Sequence, residues 1–236
     1  MHQLIARLSA EPMTRIVALG SSNTERGAHS EGCHNWVDWL DVGLRDHFGP
    51  VHHTINSGVS GDTSSGMLER FDRDVALYQP HLVVITTGGN DCNPVNGIDP
   101  EQFAENLREL VRRVSALPAC AALLQTYYSF DTEAMDDEPE RARLFPLYMG
   151  VIRQVGATEG VALVDHLPRW ELLRRQDLAG YRRLMRDPMH LNPLGNAVLG
   201  LDLLRWLGIA VSGETADRCA EGLEIQQQMD VLDARE

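Results

Sequence analysis

Lysine is absent from this chain of 236 residues, and all 21 basic residues are arginine. A Schiff-base lysine, a phosphate-loop lysine and a lysine general base are therefore excluded. Basic charge is also scarce overall, because 34 acidic residues give a net charge of −13, which repels nucleic acid and anionic lipid surfaces. Aliphatic runs such as Leu82–Ile85 are far too short to span a membrane. We expect neither a nucleic-acid partner nor a membrane partner.

Cysteine is sparse and shows no metal-binding or redox spacing. The four cysteines, Cys33, Cys92, Cys120 and Cys219, are widely separated and form no C-x-x-C pair. The first residues show no basic segment followed by an apolar one, as a secretory signal would. Free thiols in a reducing compartment fit this pattern, so we expect a cytoplasmic protein.

Continuous apolar runs alternate with segments of helical periodicity, which is typical of parallel strands joined by helices. The predicted strands are Arg15–Leu19, Val51–Asn56, His81–Thr87, Ala121–Thr126 and Val161–Asp165. One of the predicted helices begins with Asp99 as its cap, Pro100 in the first turn and Gln102 completing a capping box. We predict a single-domain, flavodoxin-like, three-layer α/β/α sandwich with a five-stranded parallel sheet.

The predicted domain covers residues 15–208, between an N-terminal extension (1–14) and an acidic C-terminal extension (209–236). We expect a short helix within Met1–Met13. Residues 212–236 contain seven acidic residues and two arginines, with apolar residues at roughly helical spacing. This segment is either a docked helix, which could lie at the contact of a homo-oligomer, or a frayed tail. Residues 131–140 include six acidic residues, which predicts an exposed loop.

Glycines and small polar residues follow three of the predicted strands. They form the segments Gly20–Asn23 (GSSN), Asn56–Thr63 (NSGVSGDT) and Gly88–Asp91 (GGND). Each segment alone is compatible with an ordinary turn. In the second segment, Asp62 or Thr63 could cap the next helix. Ligands of open parallel sheets bind outside the carboxyl ends of the strands, however, so the three segments together predict a site at that edge.

A fourth segment, Asp187–Pro193 (DPMHLNP), supplies an acid and a base. Asn192 can cap the last helix of the domain, which leaves Asp187 and His190 in the preceding loop. Pro188 biases Asp187 away from helical dihedral angles. In such a turn the carboxylate can reach imidazole Nδ1 while Nε2 faces elsewhere, as the orientation of a general base requires.

These four segments, in this order, resemble the motifs of the SGNH hydrolases, also called the GDSL esterase/lipase superfamily, over residues 15 to 207. The resemblance implies that Ser22 is the nucleophile, His190 the general base and Asp187 its orienting acid. It also implies an oxyanion hole formed by the backbone N–H groups of Ser22 and Gly61 and by the side-chain amide of Asn90. Neither a cofactor nor a metal ion is expected.

The chemistry requires these residue types for physical reasons. A serine hydroxyl is a poor nucleophile until a base removes its proton. Each preorganised oxyanion donor lowers the activation barrier by on the order of 3 kcal/mol. A glycine at position 61 lets the backbone approach a substrate closely. The first segment departs from the family's usual Gly-Asp-Ser, because Ser21 replaces the aspartate and its hydrogen bonding to nearby loops must differ.

Other interpretations of single residues carry less weight. His29, Cys33 and His34 share a loop, but they form no evident tetrahedral zinc set. Cys92 fits a packed thiol better than a nucleophile, because no nearby motif supplies its base. Gly58–Gly61 could bind an anion in a nucleotide-binding protein, yet the chain has no lysine and no G-x-G-x-x-G run.

We expect a serine esterase that hydrolyses short-chain, acetyl esters of a polar or carbohydrate alcohol through an acyl-enzyme on Ser22. The segments 24–35, 127–143 and 168–186 should line its pocket, and they are mainly polar, with no long apolar lid. Scattered aromatics within or next to these segments could contact sugar rings: Trp36, Tyr127, Tyr128, Phe130, Trp170 and Tyr181. An acyltransferase using the same serine and a catalytically silent binding module of the same fold both remain open.

Overall fold

The computed structural model describes residues 14–27 and 29–235, so the helix expected within Met1–Met13 lies outside the described residues. Five strands form one sheet, in which every neighbouring pair is parallel and the order is β2-β1-β3-β4-β5. Their bounds are β1 (Thr14–Gly20), β2 (His52–Gly58), β3 (Leu82–Thr86), β4 (Ala121–Gln125) and β5 (Ala162–Val164). The predicted α/β fold with a five-stranded parallel sheet is confirmed.

Ten α-helices lie within the described residues. They are α1 (Trp36–Phe48), α2 (Ser64–Glu69), α3 (Phe71–Asp74), α4 (Pro100–Ala116), α5 (Pro139–Glu159), α6 (Leu167–Gln176), α7 (Leu178–Arg182), α8 (Pro193–Trp206), α9 (Gly213–Arg218) and α10 (Ala220–Asp233). Helix α1 packs against α8, and α4 packs against α5. Along this part of the chain, no helix combines the length and the apolar character needed to cross a bilayer.

The strands form where the sequence offers continuous apolar runs. All five residues of β3 are buried, as expected for a strand that is covered on both faces. The edge strand β2 differs, because His52 is buried whereas the next residue, His53, is exposed. Each observed strand end lies within two residues of its prediction, and β2 shows the largest shift because it continues to Gly58.

Local side-chain bonds fix where the helices begin. Asp99 accepts a hydrogen bond from the backbone N–H of Gln102 at 2.8 Å, so the predicted cap of α4 is present, but the Gln102 side chain does not bond the backbone of Asp99, so the predicted capping box is wrong. The Gln102 side chain donates to Asn106 Oδ1 at 2.9 Å, an i,i+4 contact along the helix. Thr63 caps α2, one of the two residues that the sequence offered for that role.

The C-terminal segment is a docked helix rather than a frayed tail. Helix α10 packs against α6 and α8, and both Gln226 and Met229 are buried. The buried Arg169 of α6 donates to the backbone and side-chain oxygens of Gln226 at 2.9 and 2.8 Å, and it also pairs with Asp230 and Asp233. A role for α10 in a homo-oligomer contact and a boundary at residue 208 remain predictions.

The acidic segment 131–140 differs in part from the exposed loop that its composition predicts. Most of its carboxylates are exposed, but Asp131 is buried and accepts a hydrogen bond from Arg182 at 2.6 Å. Met135 is also buried, so the segment is anchored to the body of the protein at two points. Helix α5 then begins at Pro139, within the segment.

Replacing Arg169 with methionine should destabilise the fold, because Asp230, Asp233 and the buried Asp202 would lose their shared cation. We expect the free energy of unfolding, measured by urea titration, to fall by about 3 kcal/mol. Arg112→Met is the matched control, since Arg112 is exposed and pairs only with Glu109 among the described ion pairs; its urea midpoint should stay close to the wild-type value. Equal effects of the two substitutions would contradict the anchoring role of Arg169.

Candidate active site

Ser22 lies in a tight turn at the carboxyl end of β1. The backbone N–H groups of Thr24 and Glu25 both donate to the carbonyl oxygen of Ser21, at 2.9 and 2.8 Å, and this turn lifts Ser22 off the end of the sheet. The Ser22 side chain is not sealed in the core, since the residue retains 6% exposure. Its Oγ lies 2.9 Å from Nε2 of His190, a hydrogen bond between residues 168 positions apart.

The loop before α8 holds Asp187 and His190 in a fixed relation. The Asn192 side chain caps α8, so the preceding residues stay outside the helix. Asp187 Oδ1 accepts hydrogen bonds from the backbone N–H groups of Met189 and His190, both at 2.9 Å. Each Asp187 carboxylate oxygen also lies 2.9 Å from Nδ1 of His190. The imidazole is therefore held with Nε2 turned towards Ser22.

The Asp187 carboxylate is ionised over the whole physiological pH range. Its partial burial would raise the pKa, but the hydrogen bonds from the His190 ring and from the backbone N–H groups of Met189 and His190 outweigh burial and lower the pKa to about 2. A charged carboxylate beside Nδ1 favours the tautomer with its proton on that nitrogen. Nε2 is then the atom that can accept a proton from Ser22.

The second glycine-containing segment lies directly against the turn of Ser22. The N–H of Val59 donates to the carbonyl oxygen of Gly20 at 3.1 Å. A Cβ at Gly58 would lie 2.2 Å from the backbone nitrogen of Glu25, so only glycine fits there. Gly61 has φ of +77°, which favours glycine, and its absent Cβ would point into open space, leaving room for a substrate beside its backbone.

Asn90 lies beside the same segment. Its Nδ2 donates to the carbonyl oxygen of Asp62 at 2.8 Å, and a primary amide has a second N–H for another acceptor. Its Oδ1 accepts a hydrogen bond from Nη2 of Arg141 at 3.0 Å. One hydrogen bond thus links Asn90 to the Gly61 segment, and another links the Gly61 segment to the Ser22 turn.

The neighbouring Asp91 supports this loop. One of its oxygens accepts from the backbone N–H and the hydroxyl of Ser64, at 2.9 and 2.5 Å. The other accepts from the Thr87 hydroxyl and the Gly88 N–H, both at 3.1 Å. Burial raises the pKa of this carboxyl against the opposing effect of these four donors. Asp91 therefore fastens the start of α2 to the end of β3.

Arg70 is a supporting residue that sequence reasoning missed. It is buried and donates to the backbone oxygens of Gly20 at 3.0 Å and Ser57 at 2.9 Å, which joins the first two strand ends. It also pairs with Asp62 at 2.6 Å and Asp74 at 3.1 Å. Nothing in the local sequence distinguishes it from the other arginines, so no signal could have found it.

His29 lies against His190 rather than in a metal-binding group with Cys33 and His34. Its ring stacks on the His190 ring with a centroid separation of 4.2 Å and an interplanar angle of 19°. Burial, aided by the neighbouring His190 and Arg186, lowers the pKa of His29 below its ordinary value. Among the described residues no three histidine, cysteine, aspartate or glutamate side chains form a metal-binding group, so the loop with Cys33 and His34 carries no such cluster.

Neutral hydroxyl groups replace the aspartate that the family usually has beside the serine. The Ser21 hydroxyl lies 2.9 Å from the hydroxyl of Tyr127, and both residues are buried. Burial raises the pKa of Tyr127 to about 12, so its phenol stays protonated. The Tyr128 hydroxyl donates to Asn23 Oδ1 at 2.6 Å and lies 2.5 Å from the carbonyl oxygen of Met189. Hydrogen bonds between uncharged groups thus hold the Ser22 turn to the segment after β4 and to the His190 loop.

A cavity of about 270 Å³ adjoins His190. It is lined by Ala134, Met135, Asp137, Glu138 and the four residues Asp187–His190. The segment 127–143 therefore contributes to the pocket as expected, whereas 24–35 and 168–186 contribute none of these lining residues.

The six aromatics expected along the pocket belong to the core instead. Each of them, Trp36, Tyr127, Tyr128, Phe130, Trp170 and Tyr181, is at most 2% exposed. Rings in the segments after the strands turn inward because burying a large aromatic removes much apolar surface from water. They present no open face to a sugar.

Cys92 is unsuited to act as a nucleophile. The thiol is buried, donates to the carbonyl oxygen of Gly89 at 3.2 Å, and has a pKa that burial raises to about 12. A thiol of this kind remains protonated at neutral pH and reacts slowly. Its environment is that of a packed core side chain.

The sequence profile of the GDSL-like lipase/acylhydrolase family matches residues 18–198 of this chain. The protein belongs to the GDSL-like lipase/acylhydrolase family. The match contains all four segments, from the turn of Ser22 to the loop of Asp187 and His190, and most of the described sheet.

Two proteins of related sequence match part of this chain. Esterase TesA of Pseudomonas aeruginosa is 38% identical over 89 residues, which are 38% of this chain and 43% of that protein. The thioesterase 1/protease 1/lysophospholipase L1 of Escherichia coli K12 is 33% identical over 82 residues, or 35% of this chain and 38% of that protein. The matched segment thus spans less than half the length of either relative.

Solved structures share the fold of this family member over most of its length. A catalytic mutant of an acetylxylan esterase from Geobacillus stearothermophilus has a TM-score of 0.71 at 19% identity, covering 87% of this chain and all of that one. A lipase/acylhydrolase from Enterococcus faecalis has a TM-score of 0.67 at 23% identity, covering 85% of this chain and all of that one. At these identities the likeness establishes the fold.

Asp187→Asn in this GDSL-like protein should change the pH dependence of stability. The carboxyl protonates near pH 2 when folded but near pH 4 when unfolded, so its ionisation stabilises the fold above about pH 4, and this contribution disappears as pH falls to about 2. The variant's urea midpoint should lie below the wild-type value at pH 6, and the gap should narrow towards pH 3. The exposed Asp136→Asn is the matched control. A gap that is equal at both pH values would contradict the assigned bonds.

Proposed function

We propose that this protein is a serine esterase that works through an acyl-enzyme on Ser22. The observation that carries the proposal is the continuous set of 2.9 Å contacts from Ser22 Oγ to His190 Nε2 and from His190 Nδ1 to Asp187. Membership of the lipase/acylhydrolase family supports the same chemistry. The three side chains have the types and the order of contact that activate a serine for acyl transfer.

In the first half of the proposed reaction, Ser22 Oγ attacks the ester carbonyl carbon while His190 Nε2 takes its proton. Asp187 keeps the imidazole oriented and stabilises the imidazolium that forms. The backbone N–H groups of Ser22 and Gly61 and the Nδ2 of Asn90 donate to the negative oxygen of the tetrahedral intermediate. When the intermediate collapses, the ester C–O bond breaks and His190 gives its proton to the leaving alcohol.

In the second half, water replaces the alcohol. His190 Nε2 removes a proton from the water molecule as its oxygen attacks the acyl carbon on Ser22. The second tetrahedral intermediate uses the same oxyanion donors and collapses with return of the proton to Ser22 Oγ. The carboxylic acid leaves, and the enzyme is regenerated without any change of oxidation state.

Related proteins support these roles. Solved catalytic mutants of the Geobacillus stearothermophilus acetylxylan esterase replace a serine, a histidine or an aspartate with alanine. The Pseudomonas aeruginosa relative is described as an esterase. We transfer the reaction class from these proteins and assign the roles to Ser22, His190 and Asp187 from the geometry of this chain.

For the substrate, we propose a short acyl ester, an acetyl ester in particular, of a polar or carbohydrate alcohol. The cavity beside His190 is small, about 270 Å³, which leaves little room for a long hydrocarbon chain, and the carboxylates of Asp137, Glu138 and Asp187 contribute polar groups to its lining. Structural neighbours that are acetylxylan esterases favour the carbohydrate alcohol. The buried aromatics lend it no support, so the small volume of the cavity and the three carboxylates in its lining carry this part of the proposal.

Ser22→Ala and His190→Ala should each reduce kcat/KM for p-nitrophenyl acetate by at least about 1,000-fold, because acyl transfer would lose its nucleophile or its base. Turnover is followed by nitrophenolate absorbance, and folding by circular dichroism and the urea midpoint. His47→Ala, an exposed histidine on α1, is the control and should retain full activity. Unchanged turnover in either active-site variant, with the fold intact, would defeat the proposal.

The acyl-chain dependence tests the proposed substrate. We expect kcat/KM for p-nitrophenyl acetate to exceed that for the decanoate by at least about tenfold, because the small cavity leaves little room for a long chain. Product analysis with an added sugar alcohol distinguishes acetic acid, the product of an esterase, from an acetylated sugar, the product of an acyltransferase. Equal rates for the two esters would contradict the short-chain assignment.

A further inference from the structure

We propose that Arg141 is a positioning residue that sets the orientation and donor strength of the Asn90 amide in the oxyanion hole. This inference rests on the proposed esterase function. Arg141 lies in the first turn of α5 and is 8% exposed. Its Nη2 donates to Asn90 Oδ1 at 3.0 Å and to the carbonyl oxygen of Gly89 at 2.8 Å, and its Nε donates to the same carbonyl at 3.1 Å.

The two neighbours of the Asn90 side-chain amide fix its orientation. A guanidinium has donors only, so the amide end beside Arg141 must be the oxygen. On the other side, the carbonyl oxygen of Asp62 accepts only, and it lies 2.8 Å from Nδ2. Both neighbours therefore select the same rotamer of Asn90. The flipped amide would place its oxygen where a donor to the oxyanion is required, and it would repel the developing charge.

Arg141 also strengthens the Nδ2–H groups of Asn90 as hydrogen-bond donors. A hydrogen bond from a charged guanidinium polarises the amide carbonyl and leaves the Nδ2–H groups more positive. Arg141 is also a buried positive charge one side chain away from the proposed oxyanion, in surroundings where water screens charges poorly. Both effects favour the tetrahedral intermediate, which carries a negative oxygen, over the neutral ester.

Arg141 is itself held in place by Glu138. Its Nη1 pairs with Glu138 Oε2 at 2.9 Å, and the same oxygen accepts from the Asn93 side chain at 3.1 Å. Glu138 lines the cavity beside His190, so the wall of the pocket and the oxyanion hole are joined through one guanidinium. The planar fork of arginine bonds Glu138, Gly89 and Asn90 at once, which a lysine ammonium on a flexible stem could not reproduce with the same geometry.

The bonds to the Gly89 carbonyl allow a purely structural alternative, in which Arg141 only braces the loop. The two roles differ in what they require of Asn90. A positioning residue acts through the amide and loses its effect when the amide is removed, whereas a structural brace acts with or without it.

The experiment is a double-mutant cycle on p-nitrophenyl acetate hydrolysis with Arg141→Met, Asn90→Ala and the double variant. We expect Arg141→Met to lower kcat about 10- to 100-fold with KM changed by less than about twofold, because the interaction acts in the transition state. In the Asn90→Ala background the same substitution should lower kcat by less than about threefold. Arg143→Met, on the same helix turn but exposed and paired with Glu140, is the matched control and should match the wild type.

Several results would overturn the role of Arg141. An equal loss of kcat in both Asn90 backgrounds, or a change in KM alone, would indicate a brace. Should Arg141→Met fail to fold, as judged by the urea midpoint, Arg141→Lys decides, because it keeps the charge beside Glu138 but loses the fork; we expect kcat about three- to tenfold lower, and a wild-type kcat would refute the role. Wild-type protein without Ser22-dependent turnover would overturn the esterase proposal and this inference together.

Discussion

The site depends on one hydrogen bond, between Ser22 Oγ and His190 Nε2 at 2.9 Å. Two structural constraints make this contact between distant residues. The Tyr128 hydroxyl joins Asn23, next to Ser22, to the carbonyl oxygen of Met189, next to His190, and the cap at Asn192 keeps the His190 loop outside α8. The remaining hydrogen bonds of the site restrict the ways in which these two side chains can meet, so that the imidazole presents Nε2 rather than Nδ1 to the serine.

Buried arginines hold the loops of the site together in a chain without lysine. Arg70 joins the ends of β1 and β2 through backbone carbonyls, and Arg141 joins the end of β3 to the start of α5. In each case one planar guanidinium donates to several acceptors that converge from different segments, and a carboxylate partner offsets the cost of burying the charge. These loops are therefore positioned by bonds to backbone oxygens as well as by their own turn geometry.

Much of this arrangement could be predicted from the sequence, because its signals are local. Strands buried on both faces require continuous apolar runs, and ligands of a parallel sheet bind after strand ends, so the segments of Ser22, Gly61 and Asn90 could be predicted to share one edge. The cap at Asn192 predicts the loop of Asp187 and His190, and the resemblance to the SGNH hydrolases supplies the individual roles. Arg70 and Arg141 could not be named, since their role comes from where the fold places their acceptors. The same holds for His29, whose loop position does not reveal that its ring stacks on His190. Composition cannot show whether a segment turns its rings inward, so the sequence predicts the six aromatics along the pocket although they lie in the core.

The central claim is that the Ser22 hydroxyl is activated by His190, and covalent labelling tests it most directly. The protein is incubated with a fluorophosphonate probe, digested, and examined by tandem mass spectrometry to locate the adduct. We predict a single phosphonylated residue, Ser22, in the wild type and loss of this labelling in His190→Ala. A folded wild-type protein that stays unmodified, or that carries the adduct on another residue, would contradict the account.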